Sequence, residues 1–185
     1  MKKFAAILSA AILAASCAMT QTYTSIRNVP ETLEPQLVGL WACDRNEGDT
    51  FIHDSYMFNE DGTFTQRGTF RTRSKEDAGV VTIEFKVSGG GYYGVKDGVI
   101  TFDYLPKFAR TDLVGFDIQY YYGTPDDNGK TAADVRTRII NPMKQHFKKY
   151  FSSKQTCLLQ SVGEDSFTMK DLKTAGAPGQ TFERR

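Results

Sequence analysis

Histidine, cysteine and tryptophan are scarce: two, three and one respectively among 185 residues. With His53 and His146 as the histidines, and Cys43 and Cys157 far apart, no zinc spacing can be assembled. Net charge is nearly absent, with 23 Lys and Arg against 22 Asp and Glu, which excludes a globally basic nucleic-acid binder. The chain is 24% charged and 40% hydrophobic, as an ordinary folded domain is. Disorder, collagen-like repeats and a disulfide-dense mini-scaffold are thereby excluded. The apolar run Phe4 to Ala15 is too short to span a bilayer as a permanent helix.

Preceded by Lys2-Lys3 and followed by Ser16-Cys17-Ala18, that run reads as a secretory signal over residues 1–16. Leu13-Ala14-Ala15-Ser16-Cys17 resembles a bacterial lipobox, with Ala14 where leucine is usual. The resemblance implies lipidation of Cys17 as the mature N-terminus and, with Ala18 next, delivery to the outer membrane. Cleavage after Ala18 is the alternative, and leaves a soluble periplasmic or secreted protein. Residues 17–35, rich in Thr, Pro and other polar residues, read as a tether. The folded domain is expected over 36–185.

There the dominant period is two. Val81, Ile83, Phe85 and Val87 alternate with Thr82, Glu84 and Lys86, and Phe64, Gly68 and Phe70 alternate with polar neighbours. Each stretch reads as a strand with one buried and one wet face. Further strands are expected at Leu37–Asp44, His53–Phe58, Val99–Tyr104 and Val114–Tyr122, and near Leu158, Phe167 and Phe182. Asn59-Glu60-Asp61-Gly62, Lys96-Asp97-Gly98 and Gly163-Glu164-Asp165 are hairpin signals. Many short antiparallel strands need closure to remove their edges, so the expected fold is mainly β, an up-and-down barrel of about 8–10 strands.

One segment breaks the period. Val135, Ile139, Met143, Phe147 and Phe151 recur at steps of four, a helical stripe over 131–151. Asn141-Pro142 reads as an N-cap and first helical position, giving two pieces or one kinked helix meeting at Asn141. From Lys130 to Lys154 seven basic residues face only Asp134, while Asp44 to Asp61 holds six acids against Arg45. The basic face is either merely solvated or a docking surface for an anionic membrane or envelope partner.

Gly39-Leu40-Trp41 is similar to the G-x-W pattern of lipocalins. Tyr56-x-Phe58-x-x-Asp61-Gly62-Thr63-Phe64 resembles a strand hairpin of bacterial lipocalin-like (calycin) lipoproteins, and Gly94 to Phe102 and Thr181 to Arg184 fit the same pattern. The resemblance implies Trp41 at the closed end of the barrel, stacked by Arg184 or Arg185. Plain core packing is the other reading of Trp41. The helical insertion before the last strands departs from lipocalins, whose helix usually follows the last strand.

The expected barrel-lining residues are Tyr56, Phe58, Phe64, Phe70, Phe85, Phe102, Phe116 and Tyr120, with Ile83 and Ile118 beside them. If these rings interdigitate the barrel is filled; if not, it holds one small ligand. Tyr120-Tyr121-Tyr122 places rings on both strand faces, suited to packing and interfacial contact.

Several chemical motifs fail on context. Gly89-Gly90-Gly91-Tyr92-Tyr93-Gly94 satisfies G-x-G-x-x-G but leads into another hairpin rather than a helix N-terminus, so a bend or bulge is expected. In His53-Asp54-Ser55, strand neighbours point to opposite faces, so His53 and Asp54 cannot serve as base and orienter. Thr124-x-Asp126-x-Asn128-Gly129 lacks the first acid and the last glutamate of a calcium loop. Glu60-Asp61 and Glu164-Asp165 sit in solvated hairpins. No catalytic residue, metal or cofactor is expected.

If Cys17 is acylated, Cys43 and Cys157 remain in an oxidising compartment, where an even pair suggests a disulfide; two buried thiols are the alternative. The expected protein is a non-enzymatic lipocalin-like envelope lipoprotein, with a small hydrophobic molecule as its possible ligand. The alternative is a filled barrel that docks an envelope partner or membrane through its basic helix.

Overall fold

The computed structural model describes residues 35–123, 129–173 and 178–185. The signal segment, Cys17, nearly all of the tether and most of the Thr124–Gly129 loop lie outside the described residues. Nine strands follow in order: β1 (Gly39–Glu47), β2 (Thr50–Phe58), β3 (Thr63–Glu76), β4 (Gly79–Lys96), β5 (Val99–Tyr104), β6 (Arg110–Tyr120), β7 (Lys154–Val162), β8 (Ser166–Asp171) and β9 (Gln180–Arg184). Eight of them close into an antiparallel ring, β3-β2-β1-β9-β8-β7-β5-β4, through the pairing of β3 with β4. The architecture is a closed barrel that fits a lipocalin-like, or calycin, fold.

Local chemistry explains the strands. In β4, Val81, Ile83, Phe85 and Val87 are buried while their alternate neighbours are not. The β4–β5 turn places both Asp97 (φ 52°) and Gly98 (φ 72°) in the left-handed region, the tight turn that matches strand twist.

β4 has a divided second edge. β3 pairs with Gly79–Tyr92, while the other side is shared by β6, opposite Gly79–Ser88, and β5, opposite Gly91–Lys96. The wall therefore forks near Gly89 and Gly90. The glycine run that mimics a nucleotide motif serves close approach. A Cβ on Gly89 would lie 2.3 Å from the Phe151 ring, and one on Gly91 would lie 1.9 Å from the Asp103 carbonyl. β4 crosses the run without breaking.

A helix covers the fork between β6 and β7: α1 (Lys130–Val135), a π-turn at Arg136–Ile140, and α2 (Asn141–Tyr150). Asn141 is fully helical (φ −66°, ψ −45°) and its N–H reaches the Arg136 carbonyl, so it is not an N-cap. Pro142 has no N–H for the Arg138 carbonyl, and the chain widens by one residue just before it instead of starting a new helix. Phe147 meets Phe70 and Phe85 at ring distances of 5.7 and 5.9 Å, and Arg136 lies 5.1 Å over Phe116.

Two lining expectations change with the fork. Phe116 and Tyr120 belong to β6, which among the described residues pairs only with β4 and stands outside the closed ring. Phe116 packs under the helix, and Tyr120, at the outer end of β6, is 39% exposed.

Candidate functional site

The barrel has two unlike ends. At the closed end Trp41 is fully buried, its indole N–H donates to the Leu37 carbonyl (2.6 Å), and the Arg184 guanidinium lies 4.3 Å over its ring. Arg184 also donates to the carbonyls of Glu164 (2.7 Å), Val38 and Gln36 (both 3.0 Å). Gly39 (φ +128°) makes this possible, because a Cβ there would stand 2.8 Å from Arg184 Nη1. The Gly-x-Trp spacing is thus explained: the glycine clears room for the cation that covers the tryptophan.

Above this plug the interior is filled by rings. Phe58 meets Tyr93 at 4.7 Å, Phe167 stacks on Phe182 at 4.9 Å, and Phe64 meets Phe102 at 5.1 Å. Tyr56 is 5.4 Å from Phe102. Such aromatic pairs contribute about 0.5–1.5 kcal/mol each beyond simple burial. Of the expected lining residues, Tyr56, Phe58, Phe64, Phe85 and Phe102 are buried and Phe70 is half-buried.

The helix-covered end is hollow. A cavity of about 150 Å³ lies between β1, β2 and β3 on one side and α2, β7 and β8 on the other. Tyr56 and Phe102 form part of its lining, together with Ile52, Phe70, Phe147 and Tyr150. The barrel is therefore filled in its lower half and open in its upper half.

Polar groups enter this cavity from the inward positions of three strands. Asp54 Oδ1 accepts from Gln66 Nε2 (2.8 Å), and Gln66 Oε1 accepts from the Tyr104 hydroxyl. Tyr104 lies beside Tyr150, with ring centroids 5.7 Å apart. Arg45 Nε donates to Glu47 (2.9 Å), and its Nη1 lies 3.6 Å from Asp54, too far for a hydrogen bond. Burial raises the Asp54 carboxyl above its usual range, opposed by Arg45 and Gln66. Burial also pushes the Tyr56 and Tyr104 hydroxyls well up. His146, beside Phe147 on α2, is held below its ordinary pKa by burial and then by Lys149. Among the described residues two buried side-chain atoms, Arg45 Nη1 and His146 Nε2, have no hydrogen-bond partner, and both residues line the cavity.

Sequence reasoning passed over Arg45, Asp54 and Gln66. The signal was present: Ile52, Asp54, Tyr56 and Phe58 share one strand face, as do Phe64, Gln66, Gly68 and Phe70, and a lone polar residue on an apolar face marks an inward group. His53 does point away from Asp54, its Nδ1 lying 2.5 Å from Asp44 across β1 and β2.

Cys43 and Cys157 are both free thiols, which corrects the expected disulfide. Two strands, β9 and β8, stand between β1 and β7 in the ring. Three strand spacings of about 4.8 Å exceed the ~7 Å that a disulfide can bridge. Burial raises the Cys43 pKa, and burial with Asp171 pushes Cys157 up to about 12. Cys157, which lines the cavity, is a protonated and poorly nucleophilic thiol near neutral pH.

No family model and no curated protein matches the chain. Among solved structures it is similar to an uncharacterized protein from Bacteroides eggerthii, at 13% identity and a TM-score of 0.36, over 80% of this chain and 98% of that one. That likeness is too distant to carry an argument about function.

Proposed function

We propose that the protein is a non-enzymatic, lipocalin-like envelope lipoprotein that holds a small, mostly apolar molecule in the upper half of its barrel. One observation carries this reading: within a ring whose lower half is packed solid, the upper half keeps an aromatic-walled cavity under a helix. An eight-strand barrel is just wide enough for one small ligand. The signal-like run and Cys17 support anchorage in the outer membrane through acyl chains. Native mass spectrometry of the intact protein, purified gently from its own cells, is expected to find a co-purifying small molecule. A clean apo mass combined with capture of an envelope partner rejects the reading. Radiolabelled fatty acid is expected to mark the wild type and not Cys17→Ala, and labelling that persists in the variant refutes the anchor.

A second reading rests on Lys144, Lys148 and Lys149, which are exposed on the outer face of α2. They suit docking of the helix-covered end to an anionic surface, with a steep loss of binding as salt rises.

A further inference from the structure

Given a ligand-holding barrel, the cavity's size and unpaired atoms restrict what it takes. We infer that the ligand is an uncharged molecule the size of one substituted aromatic ring, whose head accepts a hydrogen bond from Arg45 Nη1. The inference rests on the ligand-holding reading above.

Volume sets the size. The cavity measures about 150 Å³, the volume at which an engineered apolar cavity in another protein holds benzene. Pockets for larger, drug-sized molecules run from about 300 Å³ upward, so a long acyl chain does not fit. The walls match a flat ring, with Phe70, Phe102, Phe147 and Tyr150 among the lining residues.

Charge then decides the head group. The cavity is lined by one guanidinium, Arg45, against three carboxylates, Glu47, Asp54 and Asp171. His146 also faces it, while His53 on its border is engaged by Asp44. Arg45 is already met by Glu47 and Asp54, so a further carboxylate would join an excess of negative charge. An ammonium head could meet the remaining carboxylate oxygens, but it carries no acceptor and would leave Arg45 Nη1 without a hydrogen bond. What lacks a hydrogen-bond partner is a donor, Arg45 Nη1, which stands 3.6 Å from Asp54, and an imidazole nitrogen, His146 Nε2. Leaving a buried donor unpaired is costly, and a neutral acceptor relieves that cost without adding charge. A primary amide carries both complements: a carbonyl that can accept from Arg45 and an NH₂ that can donate to an unprotonated imidazole nitrogen. Burial lowers the His146 pKa, which favours the neutral ring, and in that form one of the two nitrogens accepts.

The test uses five probes on the intact protein, followed by calorimetry and saturation-transfer NMR. Benzamide has the ring and the neutral head, benzoate the same shape with a negative charge, benzylamine a positive charge, toluene no acceptor, and palmitate a long chain. Benzamide is expected to bind about tenfold or more tighter than each of the others, the scale of one hydrogen bond to a charged donor. Arg45→Met is expected to erase the advantage of benzamide over toluene while toluene binding persists. Benzoate, benzylamine or palmitate binding as tightly as benzamide overturns the inference and leaves the ligand-holding reading intact. If no probe binds saturably, toluene included, that reading fails as well. The wild-type ranking needs no variant, so the inference stays open to refutation if Arg45→Met does not fold.

Discussion

The two ends of one ring of strands are built on opposite terms. At the Trp41 end the buried side chains are rings, with aliphatics such as Leu37 among them, and Arg184 is tied to three backbone carbonyls. At the helix end the same strands turn Arg45, Asp54 and Gln66 inward, and the rings give way to a void. The strands do not change their pleat; only the residues at inward positions change. The lesson is that stability and occupancy are divided along the barrel axis, so each can be altered with limited effect on the other.

The largest effect is expected from Phe58→Ala. It empties the packed half and is expected to cost about 3–5 kcal/mol in urea unfolding, enough to unfold a marginal domain. A cost below ~1 kcal/mol would break the division. Arg184→Met, which loses the cap on Trp41 and three carbonyl contacts, is expected to cost about 2 kcal/mol. Arg184→Lys is expected to recover little of this, because an ammonium cannot reproduce the fork. At the other end Ile52→Phe places a ring in the void. Its stability is expected to stay within about 1.5 kcal/mol of wild type, while toluene and benzamide binding disappear in calorimetry. Comparable losses in both assays would show the two ends to be one cooperative site.

The smallest effect concerns pH. The folded pKa of His146 lies below its unfolded value of about 6.5. The stability it contributes is therefore present above pH ~6.5 and lost as pH falls through the folded value. Asp54, with a raised folded pKa, runs the other way: its contribution is greatest below the unfolded value near 3.9 and is lost as pH rises through the folded one. Melting curves between pH 7.5 and 5 are expected to show a decline that His146→Gln flattens. An unchanged slope would remove His146 as its source.

The barrel was legible in the sequence wherever apolar residues alternate, as in Val81–Val87, and wherever Asp-Gly set a hairpin. The helix was legible from its stripe of four-residue steps. The fork was not, because Gly89–Gly91 offers no side chains to alternate and its role is set by Phe151 and Asp103, far off in sequence. For the same reason Phe116 and Tyr120 read as lining: alternation assigns a face, and only strand order reveals which structure that face meets. The π-turn was hidden in Pro142, whose missing donor is equally consistent with a new helix start. The disulfide failed because two early and late strands can belong to one ring and still be several strands apart.

Closure of the ring has a consequence in time. Arg184 on β9 bonds the carbonyl of Val38, 146 residues earlier in the chain, and β1 has β9 as its second neighbour. Contacts of such long sequence separation make folding slow. The barrel cannot complete itself while β9 is still being synthesised. Until then β1 presents an unpaired strand edge with Trp41 uncovered, the state in which a holding chaperone has most to recognise.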